Sequence, residues 1–192
     1  MISVITVTYN NYDDLHRTLH SLKNVDGIES VVVNGGDCNK TKKFLSKYNG
    51  IAISEPDKGI SDAFNKGVTV ATGENVMFLN SGDVLLSPDY LKDAEKTLSF
   101  NPEISFVHSD LLYDDRIGGD IRLTALQPFF FSTPPLGRGM PYHHQSMVVR
   151  KNVFDKTGLF NLQYKISMDF DWVCRLHKHR LKGFYCCLLY TS

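Results

Sequence analysis

The sequence predicts an α/β fold. The expected architecture is a Rossmann-like, mostly parallel sheet flanked by helices, followed by a less regular C-terminal half. Short runs of β-branched and apolar residues recur between residues 2 and 79. Stretches with helical spacing of apolar residues lie between those runs. Turn residues, mainly Asn, Gly, Pro and Asp, follow the runs.

Residues 2–8 form the first expected strand, Ile2-Ser3-Val4-Ile5-Thr6-Val7-Thr8. Residues 12–25 place Leu15, Leu19, Leu22 and Val25 on one helical face. Asn10 or Asn11 can cap that helix, and Asp13 and Asp14 suit its positive end. A buried strand is expected from Ser30 to Val33, a short helix from Thr41 to Tyr48, and a strand from Ile51 to Ser54. A helix follows from Ile60 to Ala71, then a fourth strand from Asn75 to Leu79. Such βαβ order favours parallel strands, whose ligands bind beyond the carboxyl ends. A further helix starts at Ser87-Pro88, with Leu91, Ala94 and Leu98 inward. Ser105 to Tyr113 and Gln145 to Arg150 read as strands, and Asp169 to Leu181 as a helix. Arg116 to Gly139, with its Gly, Pro and consecutive Phe residues, reads as a long functional loop or lid.

The 192 residues suit one domain, with 1–100 and 101–192 as its two halves. Hydrophobic residues are 42% and charged residues 22%, a globular composition. Lys+Arg and Asp+Glu are 21 each, so no long-range field attracts nucleic acid, and phosphate binding must be local. Cys38, Cys174, Cys186 and Cys187 lack CxxC spacing, which argues against a zinc site or a disulfide framework. No apolar run approaches the roughly 20 residues of a membrane span. No signal peptide is read at the start, and a cytoplasmic setting is expected. The last residues, Cys186 to Ser192, stop inside a strand-like segment, so a longer native chain is expected.

Chemistry is sought after the strands. Asp83, in Asn80-Ser81-Gly82-Asp83, is either a turn former or a ligand for a hard divalent cation. Asp57-Lys58-Gly59-Ile60-Ser61-Asp62 runs into a helix start, where backbone N–H groups attract phosphate. Ser61, Asp62, Asn65 and Lys66 form its polar face, a ligand face or merely a solvated one. Gly67 in mid-helix costs about 1 kcal/mol unless close packing needs it. Met168-Asp169-Phe170-Asp171-Trp172 opens the late helix. Its acids either complement the helix dipole or supply one general base, because residues two apart point in different directions. His143-His144-Gln145 is read more readily as a structural pair than as a metal site.

Taken in order, these segments resemble the family 2 glycosyltransferases of GT-A fold. The resemblance rests on Val7-Thr8-Tyr9-Asn10, Val32-Val33-Asn34-Gly35-Gly36, the run from Ser54 to Gly67, Ala71-Thr72-Gly73-Glu74 and Phe78-Leu79-Asn80-Ser81-Gly82-Asp83. His144-Gln145-Ser146, Arg150-Lys151, Gly158-Leu159-Phe160 and Asp169-Phe170-Asp171-Trp172 extend it over about residues 1–183.

The resemblance implies an inverting transfer of sugar from a nucleotide-diphosphate-sugar donor, UDP-linked for example, to a glycan or lipid-linked acceptor in polysaccharide biosynthesis. Thr8, Tyr9 and Asn10 match the nucleobase segment. Asn34 and Asn39 stand where the family usually has Asp, and an amide still offers a donor and an acceptor. With Asp57, Gly59, Asp62, Asn65, Lys66, Asn80 and Ser81 they make the expected nucleotide site. Asp83 is the expected ligand of Mg²⁺ or Mn²⁺, the one carboxylate kept in the DxD-like element. Asp169 matches the catalytic base, with His143, His144, Gln145, Asp171 and Trp172 on the acceptor side. A missing C-terminal part implies further acceptor contacts and peripheral contact with the inner face of the cell membrane. A nucleotide-sugar-binding module without turnover is the main rival, motivated by Asn34 and Ser81. A nucleotidyltransferase or nicotinamide dehydrogenase needs a Gly-rich loop after the first strand, which Thr8-Tyr9-Asn10-Asn11 lacks.

Overall fold

The structure, a computed structural model, describes residues 1–117, 120–126 and 140–186, with side chains for 1–112 and 140–186. Strands are β1 (Ile2–Thr8), β2 (Ile28–Asn34), β3 (Ile51–Ser54), β4 (Asn75–Phe78), β5 (Ile104–His108), β6 (Leu111–Ile117), β7 (Asp120–Leu126), β8 (Val148–Arg150) and β9 (Lys182–Tyr185). Helices are α1 (Tyr12–Leu22), α2 (Asn39–Leu45), α3 (Ile60–Val70), α4 (Pro88–Phe100), α5 (Val153–Thr157) and α6 (Met168–Lys178). The α/β class expected from the sequence is the one observed.

A seven-stranded sheet has the order β3-β2-β1-β4-β8-β5-β9. The pairs among β1 to β4, and β5 with β9, are parallel. β8 runs antiparallel to both β4 and β5. Central β1 buries both faces, so it is apolar or small throughout and every residue of it is buried. Val4, Leu15, Leu19, Val32, Leu91 and Leu98 pack on the side of α1, α2 and α4. Ile5, Val33, Phe64, Val68, Phe106, Trp172 and Leu176 pack on the side of α3, α5 and α6. Close packing also accounts for Gly67: a Cβ there would lie 2.4 Å from Ile5 Cγ2.

Antiparallel β8 sets up the site. Because it runs against its neighbours, its start lies at the edge where β1, β2, β4 and β5 end. His143 to Ser146 therefore stand at that carboxyl edge. Chain direction also brings the start of α6 there, because α6 leads to β9, which runs parallel to β5.

Several boundaries correct the sequence reading. α1 stops at Leu22 rather than continuing to residue 25. The expected strand Ser105 to Tyr113 is divided at Ser109-Asp110 into β5 and β6, which belong to different sheets. The expected strand Gln145 to Arg150 begins with a 3-10 turn, His144–Ser146, and only Val148–Arg150 is extended. Within the expected lid, β6 and β7 form an antiparallel ribbon pairing Ile117 with Asp120. The rest of that lid, and residues 187–192, lie outside the described residues.

Candidate active site

The loops after β1, β2 and β3 are tied to one another. Asn10 has φ 53°, the left-handed conformation that Asn tolerates better than most residues. Its Oδ1 accepts the Asp37 and Cys38 N–H groups, both at 2.9 Å. A Cβ on Gly36 would lie 2.6 Å from the Asn10 backbone nitrogen, so only Gly fits there. Asn34 is fully buried. It donates to Gly36 O (3.1 Å) and Ser54 Oγ (2.9 Å) and accepts from Gly36 N–H (3.1 Å). The amide expected at the nucleobase thus has its polar atoms bonded to Gly36 and Ser54 in this structure. Tyr9 is 69% exposed, which leaves its ring free to stack on a base. Asn39, the first residue of α2, is also exposed.

The approach to α3 is similarly self-bonded. Gly59 has φ 113° at the helix cap. Asp57 Oδ1 accepts the Gly59 N–H (2.9 Å), and Asp62 Oδ2 accepts the Lys58 N–H (3.0 Å). Lys66 pairs with Glu55 at 2.8 Å and lies 3.5 Å from Asp62. Asn65 turns away from these groups. Its amide makes a reciprocal pair with the Phe160 backbone, Nδ2 to O and Oδ1 from N–H, both 2.9 Å. Ser61 Oγ donates to Tyr164 O (3.3 Å). The polar face of α3 thus fastens the loop that leads to Asp169.

After β4, Asp83 Oδ2 accepts the Asn80 N–H (3.1 Å), and Gly82 has φ 107°. Thr18 organises this turn: its hydroxyl donates to Asp83 O (2.7 Å) and accepts from Gly82 N–H (2.9 Å). The sequence reading missed Thr18, since a Thr inside an amphipathic helix carries no motif. Ser81 Oγ lies 3.4 Å from Thr8 Oγ1. Burial pushes the Asp83 carboxyl up, with Asn80 N–H, His144 and Arg17 opposing.

Among the described residues no cluster of three or more His, Cys, Asp or Glu could hold a metal. A cation here needs oxygen from its ligand. The single Asp83 carboxylate, one oxygen of which is free of protein hydrogen bonds, still fits Mg²⁺ or Mn²⁺ shared with a diphosphate and waters. A cation would relieve the strain of holding that anion in a half-buried place.

Across the edge stands Asp169, in the first turn of α6. Its Oδ1 accepts the Phe170 N–H (2.9 Å), and its Oδ2 lies 3.0 Å from His144 Nδ1. That His144 contact holds the Asp169 carboxyl below the usual carboxylate range, against the effect of burial. His144 Nε2 in turn lies 3.2 Å from Asn80 Nδ2. Asn80, Asp83, His144 and Asp169 therefore form one bonded group drawn from both halves of the chain.

Other acceptor-side residues are placed differently. Asp171 Oδ2 accepts from both Nη2 and Nε of Arg175 (2.8 and 3.1 Å), which also donates to the Thr157, Gly158 and Leu159 carbonyls. Trp172 is only 2% exposed, stacks on Phe154 and donates to Thr157 Oγ1 (3.0 Å). Trp172, expected on the acceptor side, packs in the core here. Gln145 is half-buried in the 3-10 turn. His143 is half-buried, and burial, with His144 beside it, pushes its imidazole pKa down.

With this geometry in view, comparison with known proteins decides the family. The model of "Glycosyl transferase family 2" matches residues 3–168. The chain belongs to that family. An uncharacterized glycosyltransferase of Mycobacterium tuberculosis is 31% identical over 184 residues, covering 91% of this chain and 68% of its own length. A PGL/p-HBAD biosynthesis glycosyltransferase of Mycobacterium bovis is 27% identical over 186 residues, covering 91% and 69%. Among solved structures, S. aureus TarS 1-349 superposes with a TM-score of 0.70 at 20% identity, covering 100% of this chain and 58% of TarS. The mannosyltransferase PcManGT from Pyrobaculum calidifontis, in complex with GDP-Man and Mn2+, gives 0.69 at 16% identity, covering 100% and 57%. These likenesses identify the fold of this family 2 member as GT-A. The chain spans less than two thirds of the length of those two solved chains.

Proposed function

We propose that this family 2 member is an inverting glycosyltransferase. It takes a sugar from a nucleotide-diphosphate-sugar and delivers it to a hydroxyl of a glycan or lipid-linked acceptor. The observation that carries the reading is the meeting of Asp169 with the Asn80–Asp83 turn through His144. A candidate base and a candidate diphosphate site share one edge of the sheet. TarS has been solved with UDP and with UDP-GlcNAc, and PcManGT with GDP-Man and Mn2+, which supports a donor of this class.

Tyr9 offers a face for the nucleobase, and Ser81 and the start of α3 border the diphosphate. Asp83 would hold Mg²⁺ or Mn²⁺, which when bound would stabilise the leaving diphosphate as a Lewis acid. Asp169 takes the proton of the acceptor hydroxyl. That oxygen bonds the anomeric carbon from the face opposite the diphosphate, and the bond from carbon to phosphate oxygen breaks. Among the described residues no helix is long and apolar enough to cross a membrane. The proposed setting is peripheral, at the cytoplasmic face.

The test is a panel of nucleotide sugars with and without divalent metal, scored by thermal shift and nucleotide release. Asp169→Asn keeps donor binding and loses about 10²–10⁴-fold in transfer. Asp83→Ala removes the metal-dependent stabilisation by nucleoside diphosphate. Transfer by Asp169→Asn at the parent rate would refute the assigned base. Binding without turnover across donors and acceptors would favour the binding-module reading.

A further inference from the structure

His144 is the joint between the two halves of the site, and its surroundings determine which ring nitrogen carries hydrogen. The Asn80 amide nitrogen faces Nε2 at 3.2 Å. With the amide nitrogen turned to it, Nε2 presents its lone pair, since an NH₂ only donates, and this orientation leaves Asn80 Oδ1 buried without a partner. The hydrogen of a neutral ring then sits on Nδ1, which faces Asp169 Oδ2 at 3.0 Å. Phe64 meets the ring edge-on, with centroids 6.0 Å apart. The ring is thus held at both nitrogens and packed against an aromatic edge.

We propose that His144 is a positioning residue, kept by Asn80 as the neutral Nδ1–H tautomer, which holds the Asp169 carboxylate in one orientation. Its catalytic meaning rests on Asp169 being the base, whereas the tautomer and the carboxylate contact do not. The Asp169 carboxylate also accepts the N–H of its neighbour Phe170. With both oxygens engaged, side-chain rotation is suppressed, and each oxygen keeps a lone pair for an incoming proton. The amide at position 80 is the selecting element. A carboxylate there could only accept, and would demand a hydrogen on Nε2 as well. The ring would then be an imidazolium between two carboxylates. Other ionisable groups near this joint are Asp83, on the turn after Asn80, and His143, next along the chain. Asp171, on the same helix as Asp169, is turned to Arg175.

The experiment is long-range ¹⁵N NMR of the histidine rings in the whole chain at pH 8, with His144→Ala to assign the signals. The expected spectrum has Nδ1 of His144 protonated and Nε2 unprotonated. Asn80→Asp is expected to shift Nε2 to the protonated position. An Nε2–H tautomer in the parent, or a ring unmoved by Asn80→Asp, overturns the proposal. A ¹³C carboxyl titration reads the second part: in His144→Ala the Asp169 midpoint moves upward, and an unchanged midpoint overturns the positioning role. Should His144→Ala fail to fold, Asn80→Asp gives that reading by moving the midpoint down, with histidine signals assigned by Asp169→Asn. Neither readout needs a donor or an acceptor. A failed transfer assay for Asp169 is therefore distinguishable from a failure here.

Discussion

The loops after β1–β3 and the flank built from β5 and α6 handle buried polarity in opposite ways. In the loops, polar side chains bond backbone: Asn10 holds Asp37 and Cys38, and Asn34 holds Gly36. On the flank, titratable groups are buried with an unpaired atom, at His108 Nδ1, Asp110 Oδ2 and His177 Nε2. Leaving a buried polar group unpaired costs about 1–3 kcal/mol. The loops after β1 and β2 are held by amides, which do not titrate. The flank has a stability that follows pH.

The largest expected effect breaks both regions together. Phe64 contacts Phe78, Phe160 and His144, so it spans the divide. Phe64→Ala should cost about 3–5 kcal/mol, read as a lower urea midpoint. A loss under 1 kcal/mol would mean that the two regions are not joined there.

Acid should separate the regions. Burial, with His143 nearby, pushes the His108 pKa down to about 4. The unfolded chain binds a proton near pH 6.5 that the folded chain refuses until about pH 4. Stability is therefore full above pH 6.5 and falls as pH drops toward 4. The slope is about 1.4 kcal/mol per pH unit from His108. Burial depresses His143 and His177 in the same direction. Urea unfolding of parent and His108→Gln across pH 7 to 5 checks this. Equal slopes would remove His108 from the account.

Asn34→Ala tests the loops. It strands Gly36 N–H and O and should cost about 1–3 kcal/mol without adding pH dependence. Asn65→Ala is milder, about 1 kcal/mol, and should raise hydrogen exchange at Phe160. Protection at Phe160 equal to the parent would show that Asn65 does not fasten that loop. Tyr9→Ala should change stability by less than about 0.5 kcal/mol. It should weaken nucleotide binding by about 1–3 kcal/mol if the ring stacks on the base. Calorimetry with UDP and GDP measures this, and unchanged affinity for both would return Tyr9 to ordinary surface.

Legibility followed the same divide. The order from β1 to β4 was readable because each buried strand is an apolar run and each helix has an apolar stripe, as Leu15, Leu19 and Leu22 do in α1. The direction of β8 was not readable. The short apolar run Met147-Val148-Val149 reads the same in a parallel or an antiparallel strand, so the reversal that carries His144 to Asp169 left no local signal. Residue types also left the surroundings of Asn34 and Trp172 unread. The groups that recognise ligands are the groups that satisfy buried backbone or fill a core, and only the partner decides between them. His144 was singled out as one of a loop pair, but its partners Asn80 and Asp169 are distant in sequence.

The reversed strand has a consequence for how the chain is made. β8 covers the edge of β4, pairing Asn75 with Arg150, about 75 positions later. At about 5–20 residues per second, synthesis leaves β4 without that neighbour for on the order of 4–15 s. During that time Val76 and Met77 present open backbone groups on an apolar strand, a template for pairing with another chain. The short segment Val148–Arg150 thus seals an aggregation-prone edge as well as launching the turn that bears His144. A chain cut before residue 148 would keep the loops after β1–β4 and still carry an unguarded edge beside them.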